Sequence, residues 1–111
     1  MTKIEIIKDQ KGAYRQVICM GHAGYAREGE DVICAAISVL VICAMNALEG
    51  LAGEQFTEVT DKKTGFMKFD FSDKKPLQEK SIFLLDSMVY SLESLSKEYG
   101  KKYLQVQFKE V

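Results

Sequence analysis

A chain of 111 residues is long enough for one hydrophobic core and too short for two, so a single domain over residues 1–111 is expected. Hydrophobic residues at 47% against 28% charged exclude a disordered chain, and a formal net charge of -1 gives no basic face for direct nucleic-acid binding. Three cysteines, an odd number behind a charged and alternating N-terminal segment, argue against a secreted disulfide framework and predict free thiols in a cytoplasmic protein.

Ile4 and Ile6 flank Glu5 in the alternation of a strand, and Asp9-Gln10-Lys11-Gly12 is a turn cluster. A second strand is expected from about Tyr14 to Gly21, carrying Val17, Ile18, Cys19 and Met20. It terminates at His22, the only histidine of the chain.

From Asp31 to about Leu51 the period becomes helical. Val32, Ala35, Ala36, Val39, Leu40, Cys43 and Ala47 recur at helix spacing, and Ile33, Ile37, Val41 and Ala44 fill most of the other side. A helix apolar nearly all round is either the central element of the fold or shares a face with a second subunit. Ile37, Val41 and Ala44 make one stripe and Ala36, Leu40 and Cys43 another, and either can serve as that interface. Gly50 and Gly53 are placed to end the helix. The apolar run from Val32 to Leu48 is shorter than the ~20 residues of a membrane span. It also contains Ser38 and Asn46 and is flanked by Asp31 and Glu49, so no membrane crossing is expected. Cys43 in this helix and Cys19 in its strand both read as small core side chains.

Phe56 to Thr60 and Phe66 to Phe71 read as strands joined by a hairpin loop, Asp61-Lys62-Lys63-Thr64-Gly65. In the second of them Met67, Phe69 and Phe71 face one way while Lys68 and Asp70 face the other. Pro76 suits the first turn of a second helix, with Asp73 as a candidate cap and Gly100 at its end. Leu77, Leu84, Leu85, Met88, Leu92, Leu95 and Tyr99 form its apolar stripe. Tyr103 to Lys109 closes the chain as a strand with Leu104, Val106 and Phe108 on one face. The lysine pairs at 62–63, 74–75 and 101–102 read as solvated turns and helix ends. The order β-β-α-β-β-α-β predicts a two-layer α+β domain with a mixed sheet and two helices.

Cys34 stands apart from the other thiols by its position. With Asp31 as N-cap, Cys34 falls in the first helical turn, where unpaired N–H groups and the helix dipole favour a negative sulfur. The thiolate is the nucleophilic form, and a strand-end histidine brought back to a helix-start cysteine supplies a base. The same N–H groups can hold an oxyanion. The spacing of His22 and Cys34 does not by itself decide between this dyad and a surface histidine. One histidine and three scattered cysteines offer neither CxxC nor HxxxH spacing, so no metal site is expected.

GHAGYA, from Gly21 to Ala26, followed after a Gly-containing acidic spacer by DVICAAISVL, from Asp31 to Leu40, closely resembles the Prp-type ribosomal-processing cysteine proteases. These are a bacterial family of small domains of this length. The resemblance implies an endopeptidase that removes a short N-terminal extension from a large-subunit ribosomal protein, cutting after aromatic residues. It implies His22 as general base, Cys34 as nucleophile, no cofactor, and a homodimer, which would account for the apolar helix.

The remaining roles follow from local chemistry. Asp31 is read as the cap in preference to a residue orienting the imidazole. Ser38, one turn after Cys34, hydrogen-bonds either within the site or to its own helix backbone. Gly21, Gly24 and Gly29 make the connecting segment permissive, and Ala23, Tyr25 and Ala26 are suited to close over a peptide as a lid. Two other classes compete with the protease. One is a non-catalytic binding module for a ribosomal protein or ribosome-assembly factor. The other is a thiol redox sensor, disfavoured because Cys43 lies nine residues down the helix from Cys34, too far to pair.

Overall fold

The computed structural model describes residues 1–24, 26–27, 31–72 and 75–111. Tyr25, Gly29 and Asp73, each given a role above, lie outside the described residues. The elements are β1 (Thr2–Lys8), β2 (Tyr14–Met20), α1 (Val32–Gly50), β3 (Thr57–Asp61), β4 (Phe66–Asp70), α2 (Glu79–Tyr99) and β5 (Leu104–Glu110). This is the expected element order and an α+β fold. One five-stranded sheet runs β3-β4-β2-β1-β5. β5 is parallel to β1 and every other pairing is antiparallel, so the sheet is mixed.

The register explains the core. Ile4 stands opposite Cys19 and Ile6 opposite Val17, Val17 pairs on its other side with Phe69, and Val106 lies beside Ile4. Because side chains alternate across a strand, these residues share one face of the sheet. Against that face lie Ile33, Ile37, Val41, Met45 and Leu48 of α1 and Leu85, Met88, Val89 and Leu92 of α2, all in one buried cluster. Full burial of such a side chain contributes about 1.5–3 kcal/mol each. The two helices also pack on one another, and α2 on β5.

Packing decides which side of α1 is the inside. The stripe at 33, 37, 41, 45 and 48 is the core face, whereas Val32 and Val39 are 61% and 59% exposed. Cys43, expected in the core, is exposed. It follows Val41 by two positions, which on a helix turns a side chain about 200° away from the core-facing direction. A sequence apolar on both sides hides that distinction. α1 is long and apolar enough to cross a membrane by length and composition, and its inner stripe is sealed against the sheet.

The start of α2 also differs from expectation. The helix begins at Glu79 with Gln78 as N-cap, so Pro76 precedes it instead of occupying its first turn. The Gln78 backbone N–H donates to Glu54 Oε2 at 2.9 Å, and its side-chain amide donates to the Ala52 carbonyl at 2.7 Å. The segment after α1 therefore anchors the start of α2. Ser81 and Val89 join the buried face of α2, while Tyr99 lies outside it at 41% exposed.

Candidate active site

Two backbone devices bring the strand end and the helix start together. Gly21 follows β2 with φ of 81°, and its carbonyl accepts a hydrogen bond from Thr2 Oγ1 at 3.2 Å. A side chain there would meet the Met1 carbonyl oxygen at 2.7 Å, so this bend needs glycine. His22 follows immediately. On the other side, Asp31 caps α1: its Oδ1 accepts the Cys34 backbone N–H at 2.9 Å, and its carbonyl accepts that of Ala35 at 3.0 Å. Cys34 is the third residue of the helix, and the cap holds its peptide in place.

Cys34 Sγ lies 3.6 Å from His22 Nδ1. The other ring nitrogen, Nε2, lies 3.1 Å from the Lys63 carbonyl oxygen in the turn between β3 and β4. The imidazole is thus held between a thiol and a backbone carbonyl. The Cys34 N–H is committed to Asp31, which takes one of the helix-start donors away from any oxyanion.

A cavity of about 440 Å³ opens beside this pair. Ile37, Ile42, Met67 and Phe69 give it apolar walls, and Glu58 and Asp61 lie among the groups that line it. Ser38 faces the same cavity, and its hydroxyl makes no hydrogen bond among the described residues. Ala23 is 1% exposed and packs into the core, so it does not close over a peptide. Gly24 and Ala26 are exposed. Among the described residues no group of three or more His, Cys, Asp or Glu side chains could hold a metal ion.

Sequence reasoning missed the β3–β4 turn. Lys62 and Lys63 read as a solvated pair because a backbone carbonyl leaves no mark in a sequence. Gly65 was the available signal. At φ of 70°, an added Cβ would stand 2.6 Å from the Gly21 carbonyl oxygen and 3.2 Å from His22 Cε1.

Residues 1–105 match the family described as Cysteine protease Prp. The chain belongs to that family. It is therefore a cysteine protease, a hydrolase. Similar Prp proteins include the ribosomal processing cysteine protease Prp of Bacillus subtilis, 31% identical over 71% of this chain and 72% of that protein. The Staphylococcus aureus protein of the same name is 27% identical over 91% of this chain and 93% of its own length. A crystal structure of the S. aureus Prp with a covalently linked product peptide superposes with a TM-score of 0.88, at 26% identity, covering 98% of this chain and all of that one.

A Prp-family chain with three free thiols allows a direct test of these environments. Cys19 is buried and its thiol is pushed up to about 12 by burial. Cys34 is half-buried beside an imidazole and Cys43 is exposed. In the native protein at neutral pH, iodoacetamide is expected to alkylate Cys34 first, Cys43 more slowly, and Cys19 only after unfolding. Peptide mapping after timed quenching reads the order. Labelling of Cys43 ahead of Cys34 would contradict an imidazole-assisted thiol.

Proposed function

We propose that the protein is an endopeptidase that removes a short N-terminal extension from a large-subunit ribosomal protein, cutting after aromatic residues, with Cys34 as nucleophile and His22 as general base. The observation that carries this reading is the approach of Cys34 Sγ to His22 Nδ1 at 3.6 Å beside an apolar cavity. Its size and walls suit an aromatic side chain preceding the scissile bond. The relatives named ribosomal processing cysteine proteases, and the S. aureus structures with a linked product peptide and with a substrate peptide, support the substrate class.

The chemistry is acyl transfer to sulfur. His22 Nδ1 takes the Cys34 proton, and the sulfur attacks the scissile carbonyl to give a tetrahedral oxyanion. The imidazolium returns its proton to the departing amine as the C–N bond breaks, leaving a thioester. A water, deprotonated by His22, then releases the new carboxylate and the free thiol. No step needs a cofactor. The substrate places the enzyme in the cytoplasm.

Incubation with a synthetic peptide spanning such an extension, followed by mass spectrometry, tests the reading. Two fragments divided after the aromatic residue are expected. A peptide that binds and is recovered intact would favour the non-catalytic binding module instead.

The protein is further proposed to work as a homodimer through the outer side of α1. Val32 and Val39 are exposed there, beside a groove between the helices lined by Leu40, Cys43, Leu84 and Met88. An apolar surface of this kind is uncommon on a monomer, and in a two-fold interface one substitution acts twice. Ile37 and Val41 belong to the core and are excluded from the interface. Sedimentation equilibrium at tens of micromolar is expected to give a dimer for the wild type and a folded monomer for Val39→Glu. A monomeric wild type would refute the dimer.

A further inference from the structure

We propose that the β3–β4 turn completes the site: the Lys63 carbonyl holds neutral His22 as the Nε2–H tautomer, leaving a bare Nδ1 opposite Cys34, and Asp61 and Gly65 are positioning residues that hold that turn against the histidine. The catalytic consequence rests on the protease reading above; the tautomer itself does not.

A neutral imidazole carries one N–H and one lone pair, and a carbonyl oxygen can only accept. At 3.1 Å from the Lys63 oxygen, Nε2 bonds only if it bears the proton. The opposite tautomer would set two lone pairs against each other and aim an N–H at the sulfur. With Nε2 protonated, Nδ1 presents its lone pair to Cys34 Sγ at 3.6 Å, as a base for the thiol requires. After the thiol proton moves to Nδ1, Nε2–H still donates to the Lys63 carbonyl, so the ring keeps its orientation through the proton transfer. The partner that a histidine base commonly finds in a side chain is here a backbone oxygen 41 residues away in sequence.

The turn is built to hold that oxygen still. Asp61 Oδ1 accepts the Lys63 backbone N–H at 3.0 Å, and Thr64 Oγ1 donates to the Asp61 carbonyl at 3.5 Å. Gly65 has φ of 70° and sits so close to Gly21 and His22 that a Cβ would collide with the Gly21 carbonyl at 2.6 Å. Gly12 makes an informative contrast. It has φ of 84°, yet nothing lies within 4 Å of the Cβ position. Left-handed backbone is needed at both turns; close approach to the histidine is needed only at Gly65.

With a single histidine in the chain, ring-nitrogen NMR needs no assignment. In ¹⁵N,¹³C-labelled Cys34→Ala, above the pH of histidine titration, the Nε2–H tautomer is expected, with coupling across the hydrogen bond to the Lys63 carbonyl carbon. Removing the thiol leaves the Lys63 carbonyl as the ring's one hydrogen-bond partner among the described residues. An Nδ1–H tautomer, or an Nε2 proton uncoupled to Lys63 in folded protein, overturns the proposal. With Cys34 present, Asp61→Ala is expected to lower kcat about 10–100-fold, a larger change than any in KM. Asp61→Asn should recover most of the loss, since an amide oxygen still accepts the Lys63 N–H. Gly65→Ala should fall with Asp61→Ala while Gly12→Ala keeps its activity; should Gly65→Ala fail to fold, the Asp61 pair carries the test. Full kcat in folded Asp61→Ala would overturn the positioning role. If the wild type cleaves no peptide while the tautomer and coupling are as stated, the protease substrate reading fails and the hydrogen bond stands.

Discussion

Cys34→Ala is expected to abolish peptide cleavage, and His22→Ala to lower it by about 10²–10⁴-fold, the usual worth of a positioned general base. The two losses should not add, because each variant removes the same proton-transfer step. Neither side chain is among the fully buried residues of the core. Circular dichroism melts should therefore place both variants within about 1 kcal/mol of the wild type. Asp31 still caps α1 when the Cys34 side chain is truncated, because the bond it accepts comes from the backbone N–H. Near-full turnover by either folded variant would remove the dyad from the mechanism. The measurement is kcat/KM on the extension peptide, with circular dichroism on the same samples.

Phe69→Ala should produce the largest loss of stability. Phe69 is 1% exposed on β4, stands between Val17 of β2 and Glu58 of β3, and meets Phe56 edge-on with ring centroids 6.1 Å apart. Truncating a buried phenylalanine costs about 3–5 kcal/mol, because the lost transfer energy is compounded by the cavity left behind. Against a total of about 5–15 kcal/mol, that is a large fraction. Urea unfolding should show the midpoint falling with little change in slope. Phe69 also forms part of the wall of the cavity beside Cys34, so binding of an aromatic side chain should weaken well below the melting temperature. Phe83→Ala is the control: at 74% exposed on α2 it should change stability by no more than about 0.5 kcal/mol. Equal midpoints for the two variants would show that the inner face of the sheet is not the core described here.

Much of the architecture can be read from local chemistry. Alternation marks β1, β2, β4 and β5; the turn residues Asp9 to Gly12 and Asp61 to Gly65 separate the hairpin strands; the period change at Asp31 marks α1. Asp31 as a cap is equally local, since a short acceptor side chain reaches the N–H three residues on. Pro76 misleads for a related reason. It can open a helix, but here the Gln78 backbone and side chain are held by Glu54 and Ala52, and that contact sets the helix start at Glu79.

The sequence by itself determined the elements, their order and the α+β class, while His22 and Cys34 stood out as a pair through the resemblance to the Prp family. The elements depend on periodicity, turn residues and caps, all interactions over a few residues. Only the tertiary structure decided the strand order, the inner face of α1 and the exposure of Cys43, because a helix apolar on both sides contains no local signal of which side meets the sheet. It alone brought Lys63 and Gly65 to His22, since a carbonyl has the same identity in every residue and acquires a role only from what the fold places opposite it.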